Sequence, residues 1–167
     1  YQFREQQGEN DSGLTNRILS SHAGFAQAQF NLWDRVFATA GVRHDSYNVF
    51  GDATTYRLTG GYLHKETDTK LRAGYSTGFR APSMNELYFP NFGNPNLGPE
   101  KSQSMDVGID QYFFSKQLKF TGGFFWNRYR NLITTTFDPV FCAPFSTFGF
   151  CPQQLGEAST KGWEAGL

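Results

Sequence analysis

The sequence has no excess of either charge, because 15 Lys and Arg residues balance 15 Asp and Glu residues. Phosphate binding needs a basic face, and Lys and Arg form no cluster along the chain. No stretch approaches the roughly 20 apolar residues that a membrane-spanning helix needs. The sequence therefore argues against nucleic acid as a partner and against a helical membrane span.

Cysteine and histidine are also scarce. The two cysteines, Cys142 and Cys151, fit neither a CxxC redox pair nor a zinc site, and no His lies near them. A disulfide closing a small loop in an oxidising compartment is the simplest interpretation, with two free thiols as the alternative. His44 and Asp45 are neighbours on a predicted strand and so point to opposite faces. The sequence therefore predicts no catalytic residue and no metal ligand, although a protease built from rim Asp and His residues stays a minor alternative.

The chain begins without Met or a signal-peptide pattern and stops inside a predicted strand, at residues 163–167. We therefore expect it to be a piece cut from a longer protein.

Aromatic residues are abundant at 17%, including 18 Phe, yet the mean hydropathy is −0.52. Aromatics within a polar average are typical of a membrane β-barrel, which has an apolar face, a polar face and aromatic girdles. A soluble, lectin-like β-sandwich would share this composition. Composition alone does not decide between a membrane β-barrel and a soluble β-sandwich.

Alternation of apolar and polar residues recurs along the chain, with no sustained helical period. The runs are about ten residues long, as a tilted strand needs to cross a bilayer, whereas soluble strands average about five or six. Predicted strands cover 26–32, 36–43, 55–64, 70–79, 104–110 and 118–127, with partial strands at 2–7 and 161–167.

The connections alternate in predicted length. Short turns at 33–35, 65–68 and 114–117 alternate with longer links at 48–53, 80–100 and 135–158. Outer-membrane barrels have this asymmetry, with turns on the periplasmic side and loops outside. Charged residues on the polar face would suit a lumen rather than lipid: Arg43, Asp45, Arg57, Arg72, Asp106 and Asp110.

The predicted fold class is therefore all-β: an antiparallel transmembrane β-barrel segment of about eight strands with short periplasmic turns and long extracellular loops. Open sheet edges are costly in lipid. The segment must either close as a small eight-stranded barrel or belong to a larger one, and we expect the larger one.

One stretch of sequence is distinctive. It reads Gly78-Phe79-Arg80-Ala81-Pro82-Ser83, then Glu86-Leu87-Tyr88, then Gly93-Asn94-Pro95-Asn96-Leu97-Gly98-Pro99-Glu100. It resembles the barrel signature of TonB-dependent outer-membrane receptors, nearest the vitamin B12, haem and siderophore branch. Residues 41–45 and 161–164 resemble two further strands of that family.

We interpret these motif residues as structural rather than as ligand contacts. Pro82 and Pro95 end strand pairing because they lack a donor. Gly93 and Asn94 allow turn conformations. Arg80 and Glu100 are expected to pair near the barrel rim.

The resemblance implies a barrel of about 22 strands in the bacterial outer membrane, plugged by an N-terminal domain. It implies import of a ferric siderophore, haem or cobalamin, driven through the TonB complex, with no covalently bound cofactor. Residues 1–167 would form part of the single barrel domain, without the plug. The implied partners are outer-membrane lipid, TonB through the missing plug, and the small chelate. A passive porin or an adhesin barrel is the alternative.

Two aromatic loops are the candidate ligand contacts. Exposed aromatic rings suit flat chelates, although packing between loops is an equal alternative. The candidate residues are Tyr88, Phe89, Phe92, Phe141, Phe145, Phe148 and Phe150. These loops contain no His, and we expect a preformed chelate rather than a bare metal as the ligand.

Overall fold

The computed structural model describes residues 2–8 and 17–167, which form eight strands and one short helix. The elements are β1 (Gln2–Gly8), β2 (Arg17–Leu32), β3 (Val36–Tyr47), β4 (Gly51–His64), β5 (Thr69–Arg80), α1 (Met84–Tyr88), β6 (Glu100–Phe113), β7 (Leu118–Phe137) and β8 (Phe150–Gly166). The strand count and the strand type of every predicted run are confirmed. The last strand begins 11 residues before the predicted partial strand at 161–167.

The strands form one antiparallel sheet in chain order, from β1 to β8. Each strand pairs with the next, for example at Ala28 with Ala40 and at Gly60 with Ala73. Within the described residues β1 does not pair with β8, so the sheet is an open wall rather than a small closed barrel.

The sheet has an apolar face and a polar face, as the alternation predicts. The apolar face carries a belt of exposed hydrophobic side chains near mid-strand: Phe30, Val42, Leu58, Leu71, Val107 and Ile109. Across the ladders, the opposite face carries Arg43, Arg57, Arg72, Asp106 and Asp110. In a transmembrane barrel the apolar belt faces lipid and the polar face lines the lumen.

Several charged side chains of the lumenal face lie close to a side chain of opposite charge. Arg43 contacts Asp45 at 2.7 Å. Asp110 lies 3.8 Å from Arg72 and 3.4 Å from Lys119. The two carboxylates are almost fully buried, with 7% exposed. Their pairing is what permits this burial, since an unpaired buried charge is costly.

Glycines on the lumenal face make room for large neighbours across the ladder. A Cβ on Gly108 would lie 2.8 Å from the guanidinium carbon of Arg72. A Cβ on Gly162 would lie 2.7 Å from the ring of Phe125. These side chains therefore lie flat on the sheet over a glycine rather than projecting away from it.

Two of the predicted long links are wrong in extent. The predicted turns at 33–35, 65–68 and 114–117 are confirmed, but residues 48–50 also form a tight turn, because β4 begins at Gly51. The link predicted at 135–158 is shorter in the structure, where it covers only 138–149, because β7 and β8 continue pairing up to Phe137 and Phe150. Only the link between β5 and β6 keeps nearly its predicted length.

Among the described residues, no helix is long and apolar enough to span a membrane.

Candidate functional site at the loop rim

The sheet end that carries residues 81–99 and 138–149 is called the loop rim. Residues 81–99 are organised by α1, a helix that the sequence analysis missed. Ser83 caps it by accepting a hydrogen bond from the Glu86 N–H, and the Glu86 carboxylate accepts one from the Ser83 N–H. The Ser-x-x-Glu spacing is the signature of this capping box and could have revealed the helix.

Arg80 joins the helix to the sheet. Its guanidinium donates two hydrogen bonds of 2.7 Å to Glu100 and two of 3.2 Å to Glu86. Glu100 also accepts a hydrogen bond from the Ile133 N–H at 2.7 Å. The predicted pairing of Arg80 with Glu100 is confirmed, and the second carboxylate extends it into the loop.

The electrostatics of Glu86 reflect this network. Burial alone would raise the pKa of Glu86, but hydrogen bonds from Arg80 and from Ser83 outweigh burial and hold that pKa below its usual value. The carboxylate is therefore ionised at neutral pH, and it holds the helix start to the strand end.

A small core lies beneath residues 81–99. Leu87 is 1% exposed and Leu97 is 4% exposed, and Pro82 in the same loop is fully buried. Gly93 is needed for a close approach, since its Cβ would lie 2.6 Å from the backbone nitrogens of Tyr88 and Phe89. Asn94 has the predicted turn role, because its carbonyl accepts a hydrogen bond from the Leu97 N–H and its side-chain oxygen accepts one from the Asn96 N–H. The left-handed residue of this loop is Asn91, with φ 54°.

The second loop is stapled by the predicted disulfide. Cys142 and Cys151 are bonded, with their Cα atoms 5.6 Å apart, and both are fully buried. Asp138 starts the loop by accepting hydrogen bonds from the Val140 and Phe141 N–H groups. The disulfide thus ties the loop to the second residue of β8.

Polar contacts join residues 81–99 to the start of β8, where the disulfide also anchors the second loop. The Asn94 side chain, 3% exposed, donates to the Pro152 carbonyl at 3.0 Å. The Gln154 side chain accepts from the Gly98 N–H at 3.1 Å and donates to the Gly98 carbonyl at 2.8 Å. The loop rim is therefore one connected structure rather than two independent loops.

The seven candidate aromatic residues lie on this rim but do not converge on one point. The ring centroids of Phe89 and Phe92 lie 6.3 Å apart, and those of Phe141 and Phe145 lie 6.2 Å apart. Phe150 belongs to β8, and its ring centroid lies 4.8 Å from that of Phe137. Phe137 was not among the aromatic residues predicted to contact a ligand. The most exposed of the seven is Phe148, at 74%, and Tyr88 is half-buried.

Below the rim, the lumenal face holds an open cavity of about 340 Å³. None of the seven aromatic residues lines it. Five motif residues do, namely Phe79, Arg80, Ala81, Pro82 and Ser83, together with polar residues that include Arg4, Arg43, Asp45 and Tyr47. Motif residues that the sequence analysis considered purely structural therefore also shape a polar concavity.

The remaining motif residues hold the loop in place. Gly78 lies beside Ser102 on the next strand, and Pro95 and Pro99 flank the buried Leu97. Among the described residues, no group of three or more His, Cys, Asp or Glu side chains is placed to hold a metal ion.

An open antiparallel wall with an apolar belt, a paired polar lumen and a stapled loop rim is the architecture of an outer-membrane β-barrel. The family described as TonB dependent receptor-like, beta-barrel, matches residues 2–167. The chain therefore belongs to the TonB-dependent receptor β-barrel family, whose members are outer-membrane proteins.

Relatives and solved structures agree with this assignment. The chain is 32% identical over 160 residues to the vitamin B12 transporter BtuB of Vibrio vulnificus, covering 95% of this chain and 24% of that protein. It resembles the siderophore receptor PirA of Pseudomonas aeruginosa with a TM-score of 0.79 at 18% identity, over 98% of this chain and 34% of that one. It resembles the siderophore receptor PirA of Acinetobacter baumannii with a TM-score of 0.71 at 14% identity, over 93% of this chain and 26% of that one. These matched proteins are named as receptors and transporters, and the chain spans about a quarter of the matched BtuB.

Proposed function

We propose that this chain forms part of the wall and outer loops of an active transporter that imports a metal chelate or cofactor across the outer membrane. The transported ligand is a siderophore complex, haem or cobalamin, and import uses energy transmitted by TonB. The chain itself contributes no catalytic group and binds no cofactor covalently. Residues 1–167 belong to a single barrel domain, and the plug and the TonB contact come from outside this segment.

The observation that carries the proposal is the family match over residues 2–167. The relative that covers most of this chain is a vitamin B12 transporter, which makes cobalamin the first ligand to test. A passive porin or adhesin does not explain a match to a receptor family whose solved members include siderophore receptors.

The loop rim supports a role in ligand capture. Phe141 and Phe148 are 47% and 74% exposed on a loop that the disulfide anchors to β8 and the Asp138 carboxylate organises. Exposed rings on a rigid loop lose little conformational entropy when they bind a flat ligand, which favours binding. These two residues are the ligand contacts that we propose to test.

The test uses the full-length protein that contains this segment, expressed in cells that lack their own cobalamin receptor. Uptake of radiolabelled cyanocobalamin, ferric siderophore and haem is measured with and without a functional TonB. The proposal predicts TonB-dependent accumulation of one of the three. Equal accumulation without TonB would favour the porin alternative, and accumulation of none of the three would contradict the proposed ligand class.

A matched pair of variants then tests the loop. The double variant Phe141→Ala with Phe148→Ala should weaken binding about tenfold or more, since each lost ring contact contributes about 0.5–1.5 kcal/mol beyond its buried area. Phe114→Ala is the control, because Phe114 is 73% exposed but lies in a turn at the opposite end of the sheet. Equal affinities in both variants would show that the loop aromatics pack on other loops instead.

A further inference from the structure

The outward face of the sheet changes character towards the loop rim. Above the apolar belt, β6 and β7 present basic side chains instead of hydrophobic ones. On β6 the outward series runs Ile109, Val107, Met105, Gln103, Lys101, and on β7 it runs Phe124, Trp126, Arg128, Arg130. The register places Lys101 beside Arg130 and Gln103 beside Arg128, so the three cations form one cluster.

The cluster carries a net positive charge. Arg128 and Arg130 share a single carboxylate, that of Glu157 on β8, at 2.5 and 3.0 Å. Lys101 is exposed and forms no ion pair with the other described residues. Lys161, opposite Trp126, adds a fourth cation on the same face.

A groove lies beside the cluster because β4 and β5 separate. Their ladder ends at Arg57 and Ser76, although both strands continue, and the Tyr56 N–H instead donates to the Thr77 hydroxyl at 2.9 Å. The groove has a volume of about 250 Å³, and Lys101, Arg128 and Arg130 line it. Hydroxyl groups of Thr54, Tyr56 and Thr77 also line it, as does Asp52, which lies 4.0 Å from His44.

The height of the cluster matches the lipid head-group region. At about 3.3 Å per residue and a tilt of about 40°, the strand from Phe113 to Lys101 rises roughly 30 Å. The apolar band of such barrels is about 25 Å tall, so Lys101 and the two arginines lie just above its outer edge. A ligand seated there would meet cations at its head and the apolar belt of Met105, Val107 and Phe124 below.

We propose that Lys101, Arg128 and Arg130 bind the phosphate groups of an anionic glycolipid in the outer leaflet of the membrane. Arginine and lysine donate strong, charge-assisted hydrogen bonds to phosphate oxygens. The acyl chains lie against the apolar belt, and sugar hydroxyls face the Thr and Tyr groups of the groove. This site faces lipid and is separate from the lumenal cavity, so it does not depend on the transported ligand.

The test uses the full-length protein in a zwitterionic detergent, titrated with bisphosphorylated lipid A and analysed by native mass spectrometry. The wild-type protein should retain lipid A. The triple variant Lys101→Gln, Arg128→Gln, Arg130→Gln should bind it about tenfold to a hundredfold more weakly, since each cation near an anionic membrane surface contributes substantially to lipid binding. The single variant Lys101→Gln, at an exposed position, should show an intermediate loss, and Lys101→Arg, which keeps the charge, should bind lipid A as the wild type does.

The control removes three cations at the opposite end of the sheet, with Arg35→Gln, Lys65→Gln and Lys116→Gln, and should bind lipid A as the wild type does. Dephosphorylated lipid A should bind weakly to every variant, and inorganic phosphate at the same concentration should not displace lipid A. The proposal is overturned if the triple variant retains full affinity. It is equally overturned if the phosphate-free lipid binds as well, or if free phosphate competes equally.

Discussion

The two ends of this sheet solve the same problem, joining neighbouring strands, by different physical means. At the turn end, three tight turns use left-handed residues such as Asp34 and Asp68, with φ of 51° each, and the Arg35–Glu66 ion pair is exposed to solvent. At the loop rim, connections are held by a buried core, a disulfide and a buried amide. Local backbone chemistry therefore determines one end, and contacts between distant residues determine the other.

This difference has a consequence for function. A ligand-capturing surface needs residues from several loops at fixed positions, and isolated turns cannot provide that. The loop rim supplies it by tying residues 81–99 to β8 through Asn94 and Gln154. At the turn end, neighbouring turns are linked by ion pairs that are exposed to solvent, Arg35 with Glu66 and Lys116 with Asp68, rather than by buried contacts.

The largest effect should come from emptying the core of the loop rim. Leu87→Ala should lower the free energy of local opening by about 2–5 kcal/mol, because it leaves a cavity beneath α1. Hydrogen exchange of the Asn94 and Leu97 amides in the full-length protein measures this. Leu32→Ala is the control near the turn end, where Leu32 is 48% exposed, and should change local stability by no more than about 0.5 kcal/mol. Similar effects in both variants would remove the distinction between the two ends.

Removing the Cys142–Cys151 disulfide should cause a smaller loss of local stability. Replacing Cys142 and Cys151 with Ser frees a loop of about ten residues, which costs about 2.5–3 kcal/mol of loop stability on chain-entropy grounds. Limited proteolysis should then cut within 138–149, and hydrogen exchange at residues 150–155 should rise. The turns at 33–35 and 65–68 should keep their exchange rates. Unchanged cleavage of 138–149 would show that Asn94 and Gln154 alone hold the loop.

The smallest effect concerns pH. Because the pKa of Glu86 is depressed in the folded protein, its contribution is complete at neutral pH, begins to fall below about 4.5 and is lost as pH drops through the folded pKa. The contribution should be about 1 kcal/mol, read as faster exchange of the α1 amides on acidification and abolished in Glu86→Gln.

Glu66 supplies the contrast at the turn end. A hydrogen bond from Arg35 also lowers its pKa, but the pair is exposed, so Glu66→Gln should leave the exchange of its turn unchanged at every pH. Equal pH responses at both ends would show that burial at the loop rim adds nothing to this ion pair.

Sequence reasoning succeeded where the pattern is local. Strand identity, the three turns and the disulfide were all predicted, because alternation and residue spacing act over a few neighbouring positions. The α1 helix was missed although Ser83 and Glu86 carried its capping signal. The second loop was drawn too long because β7 and β8 extend through Thr135 and Pro152 by pairing with each other.

The sequence by itself determined an antiparallel, two-faced sheet and its family, because both are contained in residue order. The tertiary structure decided which distant residues meet. Lys101 and Arg130 are far apart in the chain and were not recognised as a basic cluster, yet the β6–β7 register places them side by side. The same holds for Asn94 and Pro152, whose buried hydrogen bond joins residues 81–99 to β8. Such pairings depend on strand register and on desolvation of polar groups in the fold, and neither is encoded in any single short segment.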